Sequence, residues 1–140
     1  MKRALLILIV VACGSKPPEP VAEQHHDEHA EMANMPPELA KFHDVLAPRW
    51  HAEQGDRRMT DTCAAIPDFT AGVTAIAKAT PPAGADGTAW TDGAGKLAAA
   101  IAALDDTCQK HDAVAFETAF KDVHESFHGL MALAMGKHAM

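Results

Sequence analysis

Apolar residues recur at alternating intervals of three and four along residues 38–140, which is the spacing of one face of an α-helix. Four stretches keep this spacing, and each predicts a helix. They run from Leu39 to Trp50, from Cys63 to Ile76, from Trp90 to Cys108 and from Phe116 to Ala134. No stretch alternates apolar and polar residues as a strand does, which argues against a β-sandwich or barrel. Short connections between helices of similar length predict an all-α antiparallel up-down-up-down four-helix bundle.

Proline and capping residues predict where these helices begin and end. Pro48 should kink the first helix or end it early, because proline lacks the N–H that a helix interior needs. Pro67 leaves open where the second helix starts. Asp112 is placed to cap the fourth helix, since its carboxylate can accept hydrogen bonds from the first free N–H groups.

Cys63 and Cys108 lie on the apolar stripes of the second and third predicted helices. Cys63 comes 17 residues before Thr80, and Cys108 comes 18 residues after Trp90. At 1.5 Å per residue, each cysteine is about 25–27 Å from the connection between the two helices. Antiparallel packing would bring them to one level, so we predict a Cys63–Cys108 disulfide, with two buried free thiols as the alternative.

The N-terminus has the organisation of an export signal. Lys2 and Arg3 precede an apolar run from Ala4 to Ala12, which is too short to span a bilayer and is typical of a signal-peptide core. The sequence Val10-Val11-Ala12-Cys13 resembles the lipobox of bacterial lipoproteins. The resemblance implies removal of residues 1–12, lipidation of Cys13 and, with Gly14 next, an outer-membrane location facing the periplasm. The alternatives are an ordinary secretory signal or an N-terminal hydrophobic strand.

Residues 13–37 are polar, rich in proline and without apolar periodicity, so they predict a disordered tether between the lipid and a domain at residues 38–140. The tether carries imidazole and thioether groups that could capture Cu or Zn ions weakly. They are His25, His26, His29, Met32 and Met35. A hydrated spacer without metal affinity is the alternative.

Composition narrows the range of partners. Among 140 residues there are nine His, seven Met and only 5% aromatic residues, with 12 basic against 19 acidic side chains. Removal of the signal peptide leaves 10 basic residues and a net charge of −9. An acidic chain without a basic face does not predict nucleic-acid binding. The expected partner is the membrane, through the lipid, and the sequence indicates no particular protein partner.

The histidines best placed to bind a metal ion together lie on the fourth predicted helix. His124 and His128 have the i, i+4 spacing at which two imidazoles on one helix face can share a metal ion. His43 of the first helix should lie at a similar height, so three imidazoles could converge on a Cu or Zn ion. Further candidate ligands are His51, Asp44, Glu125, Met131 and Met135. The alternative is a solvated flank of histidines and a set of methionines that only fill the core.

His124-Glu125-Ser126-Phe127-His128 also matches the HExxH motif, and it resembles the zincin metalloproteases in that pentapeptide alone. Ala134 occupies the position where the metzincin pattern has its third ligand. No strand is predicted before the helix to align a peptide substrate. Metal-dependent hydrolysis is therefore a minor alternative, and no catalytic residue is assigned.

A wider resemblance covers the third and fourth predicted helices. Trp90, the stretch Leu97–Leu104 and the stretch Phe120–Phe127 resemble the end of the cytochrome c-prime family, where Cys-x-x-Cys-His holds haem covalently. Phe120 and Val123 stand in place of the two cysteines, and His124 in place of the axial ligand. The resemblance implies the bundle fold without covalent haem. It leaves open a non-covalent b-type haem between His43 and His124 or His128.

The sequence therefore predicts an envelope-anchored lipoprotein with a Cu- or Zn-binding helical bundle, for metal buffering, delivery or sensing. A ligand-free structural or interaction bundle is the first alternative. A non-covalent haem protein is the second.

Overall fold

A computed structural model describes residues 35–136, and these residues form five α-helices and no β-strand. The helices are α1 (Pro37–Trp50), α2 (Asp56–Ala64), α3 (Ile66–Lys78), α4 (Gly87–Lys110) and α5 (Ala113–Ala134). The predicted all-α class is confirmed. Within this part of the chain, no helix combines the length and the apolar character needed to cross a membrane.

Several predictions on the N-terminal segment lie outside the described residues. They concern the signal peptide at 1–12, the lipidation of Cys13, and the tether residues His25, His26, His29 and Met32. Met35 is described, and its half-buried side chain packs against the hydrophobic core. The end of the predicted tether is thus in contact with the helical domain.

The second predicted helix is two helices in the structure, so the described residues contain five helices where the sequence predicted four. Helix α2 begins at Asp56, seven residues before Cys63, and ends at Ala64. Ala65 separates it from α3, whose second residue is Pro67. Proline is tolerated there because the first N–H groups of a helix have no acceptor within the helix, whereas one continuous helix would lose a bond at Pro67.

The other predictions on helix ends had different outcomes. Asp112 caps α5 as expected, its Oδ1 accepting hydrogen bonds from the backbone N–H of Val114 at 3.1 Å and of Ala115 at 3.0 Å. Of the two outcomes predicted for Pro48, a kink or an early end, the helix does not end at this residue, because α1 continues through it to Trp50. Pro48 is exposed and lies in the last turn, where the helix loses a single bond.

The core contains the apolar positions that the helical spacing singled out, and α4 against α5 is its most extensive helix interface. All five phenylalanines are buried to 1% exposure or less: Phe42, Phe69, Phe116, Phe120 and Phe127. Phe42 of α1 stacks on Phe127 of α5 with 5.2 Å between ring centroids. Aromatic packing therefore joins the two helices that carry the candidate metal ligands.

The predicted disulfide is confirmed. Cys63 and Cys108 are bonded, with an S–S distance of 2.03 Å and their Cα atoms 5.6 Å apart. The bond attaches the C-terminal end of α2 to the C-terminal end of α4. At the other end of α4, the indole N–H of Trp90 donates to the carbonyl oxygen of Ile76 in α3 at 3.3 Å.

Two glycines of the helix interiors should respond oppositely to alanine. A Cβ added at Gly72 would lie 2.8 Å from Cδ2 of the buried Phe42 ring, so we expect Gly72→Ala to destabilise the protein by about 1–3 kcal/mol. A Cβ at Gly95 meets nothing within 4 Å, so Gly95→Ala should stabilise it by up to about 1 kcal/mol through helix propensity. Urea denaturation measures both changes. Equal shifts in the two variants would contradict the close approach of α1 and α3.

Candidate metal site

His124 and His128 occupy successive turns of α5, and their imidazoles meet at the helix surface. The two Nε2 atoms are 3.0 Å apart, a hydrogen bond in which one ring donates its N–H and the other accepts with its lone pair. Which ring donates depends on the tautomers. The i, i+4 spacing noted in the sequence therefore places both ring nitrogens at one point in space.

This separation matches two neighbouring ligands of one metal ion. Imidazole nitrogen binds Zn at roughly 2.0–2.1 Å, so two ligands at roughly 90–109° have nitrogens about 2.8–3.4 Å apart. The observed 3.0 Å lies within that interval. Binding would require the donating Nε2 to give up its hydrogen, so that both rings carry their hydrogen on Nδ1, a change of tautomer without movement of the helix.

The orientation of His124 is set by a tryptophan from another helix. The indole of Trp50, the last residue of α1, stacks on the imidazole with ring centroids 3.9 Å apart and an angle of 10° between planes. Phe120 packs edge-on against the same indole at 5.5 Å. Helical spacing marks Trp50 as a core residue, but it does not show that the ring covers a histidine.

Arg58 of α2 supports Trp50 and is buried, with only 4% of its surface exposed. Its Cζ atom lies 5.1 Å from the ring centroids of both Trp50 and Phe120, the geometry of a cation–π contact. Nη1 pairs with Oε2 of Glu117 at 3.3 Å. Its Nε has no hydrogen-bond partner among the described residues. No sequence signal identified this residue, because an arginine in a polar stretch is normally exposed.

His43 and His51 lie on the same side of the domain but are not at coordination distance in this structure. His43 is half-buried, with its ring centroid 6.0 Å from that of Phe127, and His51 is the exposed C-cap of α1. Both are close enough to His124 to affect its protonation. Within residues 35–136, no three His, Cys, Asp or Glu side chains are arranged to hold a metal ion.

The pKa of the His124 imidazole is lowered from its ordinary value of 6.5 to about 4, and burial is the largest cause. The imidazoles of His128 and His51 contribute to this lowering, because a positive charge on neighbouring rings is repulsive. The carboxylate of Glu125 acts in the opposite direction, and His43 makes a smaller lowering contribution. His124 is therefore neutral at pH 7, which is the form that binds metal ions.

In metal-free protein, we expect the His124 ring protons to titrate by NMR with a midpoint near pH 4. The folded protein binds this proton less readily than the unfolded chain. The contribution of His124 to the free energy of unfolding is thus complete above pH 6.5 and declines as the pH falls toward 4. Trp50→Ala uncovers the ring and should raise the midpoint toward 6.5. A wild-type midpoint already near 6.5 would contradict the burial of His124.

The remaining candidate ligands have other surroundings. Met131 is 8% exposed and belongs to the core, and Met135, the C-cap of α5, is half-buried against it. Glu125 is directed to Lys121, with 3.3 Å between its Oε1 and the lysine Nζ. Asp44 is exposed on α1. The structure does not place any of these side chains on the His124–His128 pair in the way that the Trp50 indole lies on His124.

Buried aromatic rings pack between α1 and α5. Phe42 is stacked on Phe127 at 5.2 Å and packs against Phe69 at 5.5 Å, with each ring exposed by 1% or less. A porphyrin between His43 and His124 would have to displace these rings. The interior packing therefore gives no support to a b-type haem site.

Comparison of the chain with protein-family models, curated proteins and solved structures gives no match. The resemblance of helices α4 and α5 to the cytochrome c-prime family stays an expectation from the sequence. A function has to be inferred from the residues of this chain and their geometry.

Proposed function

We propose that this protein is an envelope-anchored lipoprotein whose helical domain binds a Cu or Zn ion through His124 and His128. The observation that supports this most directly is the 3.0 Å separation of the two Nε2 atoms, which a single ion could bridge. Neutral imidazoles suit Cu and Zn, whereas Mg and Ca prefer oxygen ligands. Reversible capture by a small module suits metal buffering, delivery or sensing.

The other imidazoles on this side of the domain are the proposed source of further ligands. A tetrahedral or tetragonal ion needs two more donors beyond the His124–His128 pair. His43, on the neighbouring helix α1, is the proposed third ligand after a side-chain rotation, with His51 as its substitute. Water can complete the coordination, which would leave the ion exchangeable.

The proposed location follows from the N-terminal sequence. The lipobox-like Val10-Val11-Ala12-Cys13 implies a lipid anchor, with the domain facing the periplasm of a Gram-negative host. The Cys63–Cys108 disulfide is compatible with such an oxidising compartment. The net charge of −9 after signal removal would raise the local concentration of cations around the domain.

We also infer an up-down arrangement of the long helices. Trp90, at the start of α4, is hydrogen-bonded to Ile76 at the end of α3. Cys108, near the end of α4, forms the disulfide with Cys63, just before α3 begins. The order α1, α3, α4, α5 would then alternate in direction, with α2 as an additional short helix beside it.

Calorimetric titration of the full mature chain with Cu(II) and with Zn(II) tests the proposed function. Binding by the wild type and its loss in the His124→Ala/His128→Ala variant are expected. Equal heats in the two proteins would refute metal binding at this pair.

A further inference from the structure

Helix α2 connects the Cys63–Cys108 disulfide to Trp50, the residue whose indole stacks on His124. It is nine residues long and carries Arg58 at its third position and Cys63 at its penultimate position. Its interfaces with α1, α3, α4 and α5 are all small beside the α4–α5 interface. A helix with little packing depends on its few specific attachments, which here are the disulfide and the buried arginine.

The contacts from α2 to the metal pair form an unbroken series. Arg58 lies 5.1 Å from the Trp50 ring centroid, and Trp50 stacks on His124 at 3.9 Å. His124 in turn meets His128 through the 3.0 Å contact between Nε2 atoms. Groups that orient a metal ligand affect affinity without touching the ion, so Trp50 and Arg58 are positioning residues.

We propose that the Cys63–Cys108 disulfide regulates metal affinity at His124 and His128 through α2; this inference rests on the proposed function. Cys63 is only half-buried, so a dithiol reductant can reach the bond. Reduction breaks the S–S bond, adds two electrons and two protons to give two thiols, and oxidises the dithiol to its own disulfide. Once Cys63 is no longer bonded, α2 does not keep Arg58 packed against Trp50. Metal binding must then order the His124 ring at an added entropic cost, so the ion is released more readily.

The test compares Cu(II) dissociation constants of full mature chains. Cys63→Ala/Cys108→Ala mimics the open bond without leaving thiols that would themselves bind copper. We expect affinity to fall about tenfold or more, the scale typical of lost ligand-orienting contacts. Arg58→Gln, with the disulfide intact, should lower it similarly. The combined variant should bind no more weakly than either, because both changes interrupt one series of contacts.

Trp90→Phe is the matched control, since it alters the other tryptophan at the far end of α4 and should leave Cu(II) affinity unchanged. In that background Trp50 is the only indole, so its fluorescence reports α2 directly. Disulfide removal and Arg58→Gln should both shift its emission to the red, as expected when an indole becomes solvated. A destabilisation confined to the core would not produce this shift in folded protein.

Two results overturn the inference while leaving metal binding in place. One is wild-type affinity in the folded disulfide-free variant, and the other is additive losses in the combined variant. If the disulfide-free variant does not fold, wild-type affinity in Arg58→Gln overturns the inference by itself. Absence of binding to the wild-type chain, by contrast, overturns the proposed function and this inference together.

Discussion

We expect the replacement of both His124 and His128 by alanine to abolish the proposed Cu(II) and Zn(II) binding by the helical domain. In the proposed site the two imidazoles, with Nε2 atoms 3.0 Å apart, would form a chelate, and the second nitrogen would bind at the high effective concentration that the first creates. Each single alanine variant should lose roughly 100-fold in affinity, since it removes this advantage. The double variant should retain at most the weak ion capture predicted for the tether.

His111→Asn is the matched control for that experiment. His111 is an exposed imidazole at the C-cap of α4, with a φ of 52°, and asparagine is the residue besides glycine that adopts this conformation most readily. The substitution removes one of the nine histidines without touching the pair. Loss of binding in this variant, or its retention in the double alanine variant, would place the metal elsewhere.

Removal of the Cys63–Cys108 disulfide is the change with the largest expected effect on stability. The bond closes a loop with a sequence separation of 45, and its loss should lower the free energy of unfolding by about 4 kcal/mol on the chain-entropy model. Urea denaturation of the Cys63→Ala/Cys108→Ala variant measures this loss. Most of it should arise because the uncrosslinked unfolded chain gains conformational freedom.

Reduction supplies an internal control for the disulfide. Adding a phosphine reductant should destabilise the wild type by a comparable amount and leave the disulfide-free variant unchanged. Two alkylatable thiols in unreduced wild-type protein, observed by mass spectrometry, would show that the bond is not formed. A loss below about 1 kcal/mol would show that the unfolded chain is already compact around these residues.

Periodicity predicted the helices that carry the site because helical geometry is local. Phe116, Phe120, Val123 and Phe127 repeat at three and four residues, and all four side chains are buried to 1% exposure or less. The break at Ala65 escaped prediction, since α2 begins in a polar stretch whose buried members are Arg58 and Thr62. These residues are buried by their neighbours in space rather than by their own hydrophobicity.

The sequence likewise predicted one part of the candidate site and not the other. The i, i+4 pair His124 and His128 could be recognised in the sequence because both lie on one rigid helix. The predicted convergence of His43 with them depends on side-chain rotation across two helices, and the structure has the His43 ring centroid 6.0 Å from that of Phe127. Met131 and Met135, assigned to the same face by angle, are drawn into or against the core.

The sequence by itself determined the all-α class, the core stripes, the pairing of the two cysteines and the spacing of the two imidazoles. Each of these follows from the 3.6-residue period and the 1.5 Å rise of a helix. Only the tertiary structure decided that Trp50 covers His124 and that Arg58 is buried against Trp50. These contacts join α1, α2 and α5, and their geometry depends on how separate helices are rotated and offset against each other, which no local period encodes.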